Sequence, residues 1–101
     1  MIKAKFRIRK AEASFTVVGH AGSADEGRDI ICAAVSSAAY MAVNTVTDIL
    51  GVTVQAEDRD GYMKVSFVNS EAAADIVRGL KLHLEQLAEQ YPQFVKVTTE
   101  V

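Results

Sequence analysis

DIICAAVSSAAYMAVNTVTDILG, residues 29–51, is the stretch that decides the fold. Ile31, Val35, Ala38, Ala42, Val46 and Ile49 recur at spacings of three and four, which predicts a helix with one apolar stripe. Asp29 stands at the N-cap position, where its side chain can accept from unpaired backbone N–H groups. Gly51 ends the run in the usual C-terminal manner. The helix is rich in alanine and serine, so a neighbouring backbone can approach it closely.

Working outward toward the N-terminus, AGSADEGR (residues 21–28) is small, polar and glycine-flanked, and reads as a mobile loop with Gly22 and Gly27 as its hinges. Before it, Phe15 to Val18 reads as a strand and Glu12 as part of a turn. Ile2, Ala4, Phe6 and Ile8 alternate with Lys3, Lys5, Arg7 and Arg9, the pattern of a strand with one buried and one basic face. On the C-terminal side, Val52, Val54 and Ala56 alternate with polar residues. The turn residues DRDG (58–61) follow, and then Met63, Val65 and Phe67 alternate in turn. Ser70 opens a second helix with Ile76, Val77, Leu80, Leu84, Leu87 and Ala88 as its buried stripe. Gly79 inside it costs about 1 kcal/mol relative to alanine. Pro92 forces its end, and Phe94 to Thr99 reads as a last strand. The order ββαββαβ predicts a single α+β domain over residues 1–101, two helices packed on a mostly antiparallel sheet.

Half of the 101 residues are hydrophobic, enough for a sizeable core without disulfides or a metal. Eleven basic against thirteen acidic residues give a net charge of -2, which argues against a protein that coats nucleic acid. The single cysteine excludes an intrachain disulfide and fits a reducing compartment, so a cytoplasmic location is expected. MIKAKFRIRK, residues 1–10, alternates and has no apolar block of the secretory kind. Ser36, Ser37, Asn44 and Asp48 interrupt the longest apolar run, so no membrane association is expected.

The chemistry concentrates in GHAGSADEGRDIICAAVS, residues 19–36. His20 ends a strand and Cys32 falls in the first turn of the following helix. Backbone N–H groups at a helix start carry partial positive charge, which favours a thiolate and can also stabilise an oxyanion. An imidazole can take a thiol proton and return it to a leaving amine. Residue type alone leaves this open, because a cysteine among Ile31, Ala33 and Ala34 is usually a small core residue. A lone histidine after glycine is likewise more often a turn residue. One Cys and one His are too few for a zinc site, so no metal is expected.

GHAG at 19–22, GxD at 27–29 and CAAVS at 32–36 together resemble the ribosomal-processing cysteine protease family, called Prp. The element order and the glycine-bearing loop extend the likeness across nearly the whole chain. Ile31 stands where valine is more usual, a trivial departure. The resemblance implies a catalytic dyad of His20 and Cys32, no cofactor, and a homodimer with residues 21–28 as a flexible loop over the site. It implies a bacterial, cytoplasmic enzyme required for ribosome assembly. Its substrate would be the N-terminal extension of large-subunit ribosomal protein L-twenty-seven, which ends in aromatic residues before the scissile bond.

Ser36, four residues after Cys32, shares its helix face and could hydrogen-bond near the thiol; bonding to its own helix backbone is an equal alternative. Asp29 is an N-cap first, with orientation of His20 as a second role. The basic strand suggests contact with a ribosome, but exposed sheet faces are often charged for solubility, and no direct nucleic-acid binding is expected. Tyr40 and Met41 read as core or dimer contacts, and His83 as solvated. Two other classes remain: a non-catalytic ribosome- or RNA-associated binding module, and a different thiol enzyme such as a peroxide reducer.

Overall fold

Ile2–Ile8 form strand β1 in the computed structural model, which describes residues 1–19 and 30–100. Its alternation does what the sequence predicts: Ile2, Ala4 and Phe6 are buried while Lys3 and Lys5 are exposed. Strand β2 (Glu12–Val18) pairs antiparallel with β1, and the facing pair Phe6 and Phe15 stack with ring centroids 5.6 Å apart. Helix α1 (Ile30–Asn44) runs into a π-helical turn, Thr45–Ile49. Strands β3 (Gln55–Arg59) and β4 (Tyr62–Val68) form the second hairpin, then come helix α2 (Glu71–Gln90) and strand β5 (Val95–Thr99). The sheet order is β3-β4-β2-β1-β5, with β1 and β5 parallel and every other pair antiparallel. The expected α+β architecture, two helices on a mostly antiparallel sheet, is the one observed.

The core is a single layer between that sheet and the helices. Val35, Ala39, Ala42 and Val46 from the first helical segment meet Val77, Leu80 and Leu84 from α2 over Phe6, Phe15 and Val65. Ser70 starts α2 as expected, its hydroxyl accepting from the Ala73 N–H at 3.3 Å. Ile76, Leu87 and Ala88 pack against the core only partly buried.

Five local readings need correction. Ile49 is 77% exposed, and Ala39 is buried in place of Ala38. The cause of the first lies in the π turn, where Leu50 N–H donates to Thr45 O at 2.9 Å. Thr45 and Thr47 hydroxyls donate to the Met41 and Val43 carbonyls four residues back, and the widened turn carries Ile49 off the stripe. Val52 and Val54 precede β3 rather than belong to it, because Val52 N–H is spent on Val46 O at 3.0 Å. The DRDG turn is shorter than read: Asp58 and Arg59 pair within β3, leaving Asp60 and a left-handed Gly61 (φ 72) to reverse the chain. Glu12 is not in a turn but opens β2, paired with Val68.

The helical run Ile30–Ile49 is also more apolar than the sequence reading allowed. It is 20 residues long and holds an 18-residue window of mean hydropathy 1.5, enough by length and composition to cross a membrane. Length and composition are met equally by the core helix of a globular domain, and here one stripe packs into the core. Much of the rest faces outward, including Ile30, Met41 and Ile49.

Candidate active site

Cys32 sits in the first turn of α1, half-buried, where the sequence predicts it. Residues four apart on a helix stack along one side, so Cys32, Ser36 and Tyr40 form a continuous wall. That wall faces the end of the β3–β4 hairpin across a cleft of about 600 Å³. Asp58, Asp60, Gly61 and Tyr62 make the opposite wall, with Val17 and Met63 at the base. The hairpin reaches this place because β4 lies beside β2 in the sheet, which brings its turn level with the end of β2.

A side-chain hydrogen bond ties the two walls together, the Tyr40 hydroxyl donating to Asp58 Oδ2. This bond, helped by some desolvation and by the carboxylate's charge, holds the Tyr40 phenol above its ordinary pKa. The donor therefore stays protonated well into the alkaline range. Across the turn, the Arg59 guanidinium lies 4.0 Å from the centroid of the Tyr62 ring and 3.4 Å from Glu57 Oε2.

The chain enters the site from β2 through Gly19. Its N–H donates to Gly61 O at 2.8 Å, pinning the strand end to the hairpin rim. Its φ is +100, and an added Cβ would meet Met1 O at 2.3 Å, so only glycine fits. His20 follows directly in sequence.

Of the residues predicted for the site, Cys32 and Ser36 line the cleft side by side. His20, Asp29, Gly22 and Gly27 lie outside the described residues, and with them the loop 21–28. Tyr40 is a correction: it is 44% exposed and lines the cleft instead of filling the core. Met41 is also exposed, at 63%, so it is not a core residue either, while His83 is solvated as expected. Sequence reasoning missed Asp58 and Asp60 as cleft residues. Their acidic turn was legible, but its position opposite Cys32 follows from the strand order, which local pattern does not carry.

Comparison with known proteins shows the family. The sequence profile of the family described as cysteine protease Prp matches residues 1–96. The ribosomal processing cysteine protease Prp of Bacillus subtilis (strain 168) is 30% identical over 111 aligned positions, covering all of this chain and 99% of the relative. SMU.848 from Streptococcus mutans is 34% identical, with a TM-score of 0.80 over 98% of this chain and 93% of that one. The fold is shared with an essential ribosomal processing protease Prp from S. aureus, crystallised with a covalently linked product peptide. That chain is 21% identical, with a TM-score of 0.89 over 99% of this chain and all of that one. By the profile match and the Bacillus relative, the chain belongs to the cysteine protease Prp family and is a cysteine protease.

Proposed function

We propose that this chain is a cysteine endopeptidase with Cys32 as nucleophile and His20 as its base. Its substrate is an N-terminal extension of large-subunit ribosomal protein L-twenty-seven, removed in the cytoplasm during ribosome assembly. The observation that carries the reading is that the chain has one cysteine, and that this cysteine lines the cleft. A cysteine protease needs a thiol, and no other is available. The relatives named for ribosomal processing support the substrate class.

In this mechanism His20 takes the Cys32 proton and the sulfur attacks the scissile carbonyl carbon. The tetrahedral intermediate collapses by breaking the C–N bond, and the leaving amine takes the proton back from His20. Water then adds to the thioester, with His20 as base, and releases the carboxyl product and the free thiol. Ser36 supports the sulfur from the next helical turn. No step calls for a cofactor.

Incubating the protein with the extended ribosomal protein and reading intact mass tests this. One cleavage at the end of the extension is expected. His20→Ala should lower kcat by about a hundredfold to ten-thousandfold, the usual worth of a positioned base. An uncleaved substrate, or cleavage scattered along it, would refute the assignment of substrate.

The protein also works as a homodimer in this reading. Ile30, Met41 and Ile49, which are 71%, 63% and 77% exposed, give the first helical run an apolar outer side that a second copy would cover. Sedimentation should return twice the chain mass, and Met41→Glu together with Ile49→Glu should return one. A wild-type protein that sediments as a monomer at micromolar concentration rejects the dimer.

A further inference from the structure

Among the described residues, the two helices cover one face of the sheet and none covers the other, and the charges divide between the two sides. The open face carries Lys3, Lys5 and Arg7 from β1, Lys64 from β4 and Lys96 from β5. The helix side is acidic: Glu71, Asp75, Glu85 and Glu89 on α2 outnumber Arg78 and Lys81. A net charge of -2 hides this division, because the fold separates what the composition sums.

The strand register shows how the cations are laid out. Lys96 and Lys3 face each other directly across the β5–β1 pair, a like-charge contact that opposes sheet formation. Lys5, Thr16 and Lys64 follow one another across β1, β2 and β4, so the two lysines leave the sheet from backbones about 10 Å apart on either side of a threonine. Arg7 is next to Ser14, which is next to Ser66. The cations therefore flank a low strip of hydroxyls. The face's carboxylates sit at its margins, Glu12 at a strand end, Glu57 on edge strand β3 and Glu100 beyond β5. Glu57 stands opposite Lys64 in the strand register and lies 3.4 Å from Arg59, and Glu100 lies 3.9 Å from Lys5; both ion pairs are exposed and weak.

We propose that this open sheet face binds single-stranded RNA through its phosphate backbone. A face that sets spaced point charges beside hydroxyls suits a strand of phosphates, whose recognition needs positive charge and little shape. The choice of RNA among polyanions rests on the ribosomal setting proposed above, whereas the layout of cations rests on the strand register alone and is separate from the cleft.

Fluorescence anisotropy with a labelled single-stranded oligouridine is the test. If four of the five cations meet phosphates, the log–log salt slope is about -3, and affinity falls roughly fiftyfold from 50 to 200 mM salt. Lys3→Glu with Lys96→Glu should weaken binding at least tenfold and flatten the slope by about 1.4. The milder Lys3→Gln with Lys96→Gln should act in the same direction and guards against misfolding, which circular dichroism reads. Arg78→Glu with Lys81→Glu on α2 should change nothing, and peptide cleavage should survive every one of these variants. Binding that is absent, that survives charge reversal on β1 and β5, or that is lost through the α2 pair overturns the proposal. Equal or tighter binding to polyglutamate or to anionic lipid vesicles overturns it as well.

Discussion

Cys32→Ala should lower kcat for peptide cleavage by a factor on the order of a thousand to a million, with the fold intact. The size of the effect follows from covalent catalysis. Without the sulfur no thioester forms, and what remains is the binding and polarisation that the cleft offers to a water molecule. Stability should hardly move, because Cys32 is only half-buried and the change removes a single atom at the edge of the core. A loss of less than about 1 kcal/mol, or a few degrees in Tm, is the expected scale. With a single cysteine in the chain, iodoacetamide should add one adduct and abolish activity in step with labelling. Retained cleavage by Cys32→Ala would move the chemistry to another group. Ser36, beside it in the cleft wall, would be the first to test, by adding Ser36→Ala.

How much of this was legible depends on whether the signal was local. The strand alternation of residues 2–8, the cap at Ser70 and the apolar stripe of α2 are short-range patterns, and each survives in the structure. The failures have physical causes. Ile49 fits the helical spacing, but threonine hydroxyls four residues from their acceptor carbonyls accompany a π turn, and the stripe is lost there. Val52 and Val54 alternate like strand residues, yet a backbone bond to the preceding helix keeps Val52 out of the ladder. For the site, Cys32 at a helix start was readable, whereas Tyr40 and Asp58 were not. Their contact joins residues 18 apart through the order of the strands. The open basic face was half readable: one strand announced it, and Lys64 and Lys96 joined it only through register.

The largest stability effect is expected at Gly19, and the same substitution should also damage activity. Gly19→Ala places a Cβ 2.3 Å from Met1 O at a φ of +100, where L residues are strained even in open space. Such a conformation costs about 1–3 kcal/mol by itself. The clash cannot be relieved by swinging Met1 aside, because Ile2 is 1% exposed and its N–H is held by Phe94 O at 2.8 Å. The strand end must move instead, and the Gly19 N–H to Gly61 O bond is lost, a further cost of about 1 kcal/mol. A total near 3 kcal/mol lowers Tm by roughly 15 °C in a domain of this size. Because His20 is the next residue, displacing the strand end by an ångström should lower kcat/KM about a hundredfold even where the protein is folded. Gly51→Ala provides the control: its φ is +70, but nothing lies within 4 Å of the added Cβ. That variant should lose only the conformational term, about 1 kcal/mol, and keep full activity. Thermal unfolding and peptide kinetics on the two variants separate strain from collision. If Gly19→Ala is as stable and as active as Gly51→Ala, then the first residues yield freely, and the hairpin contact does not position the histidine.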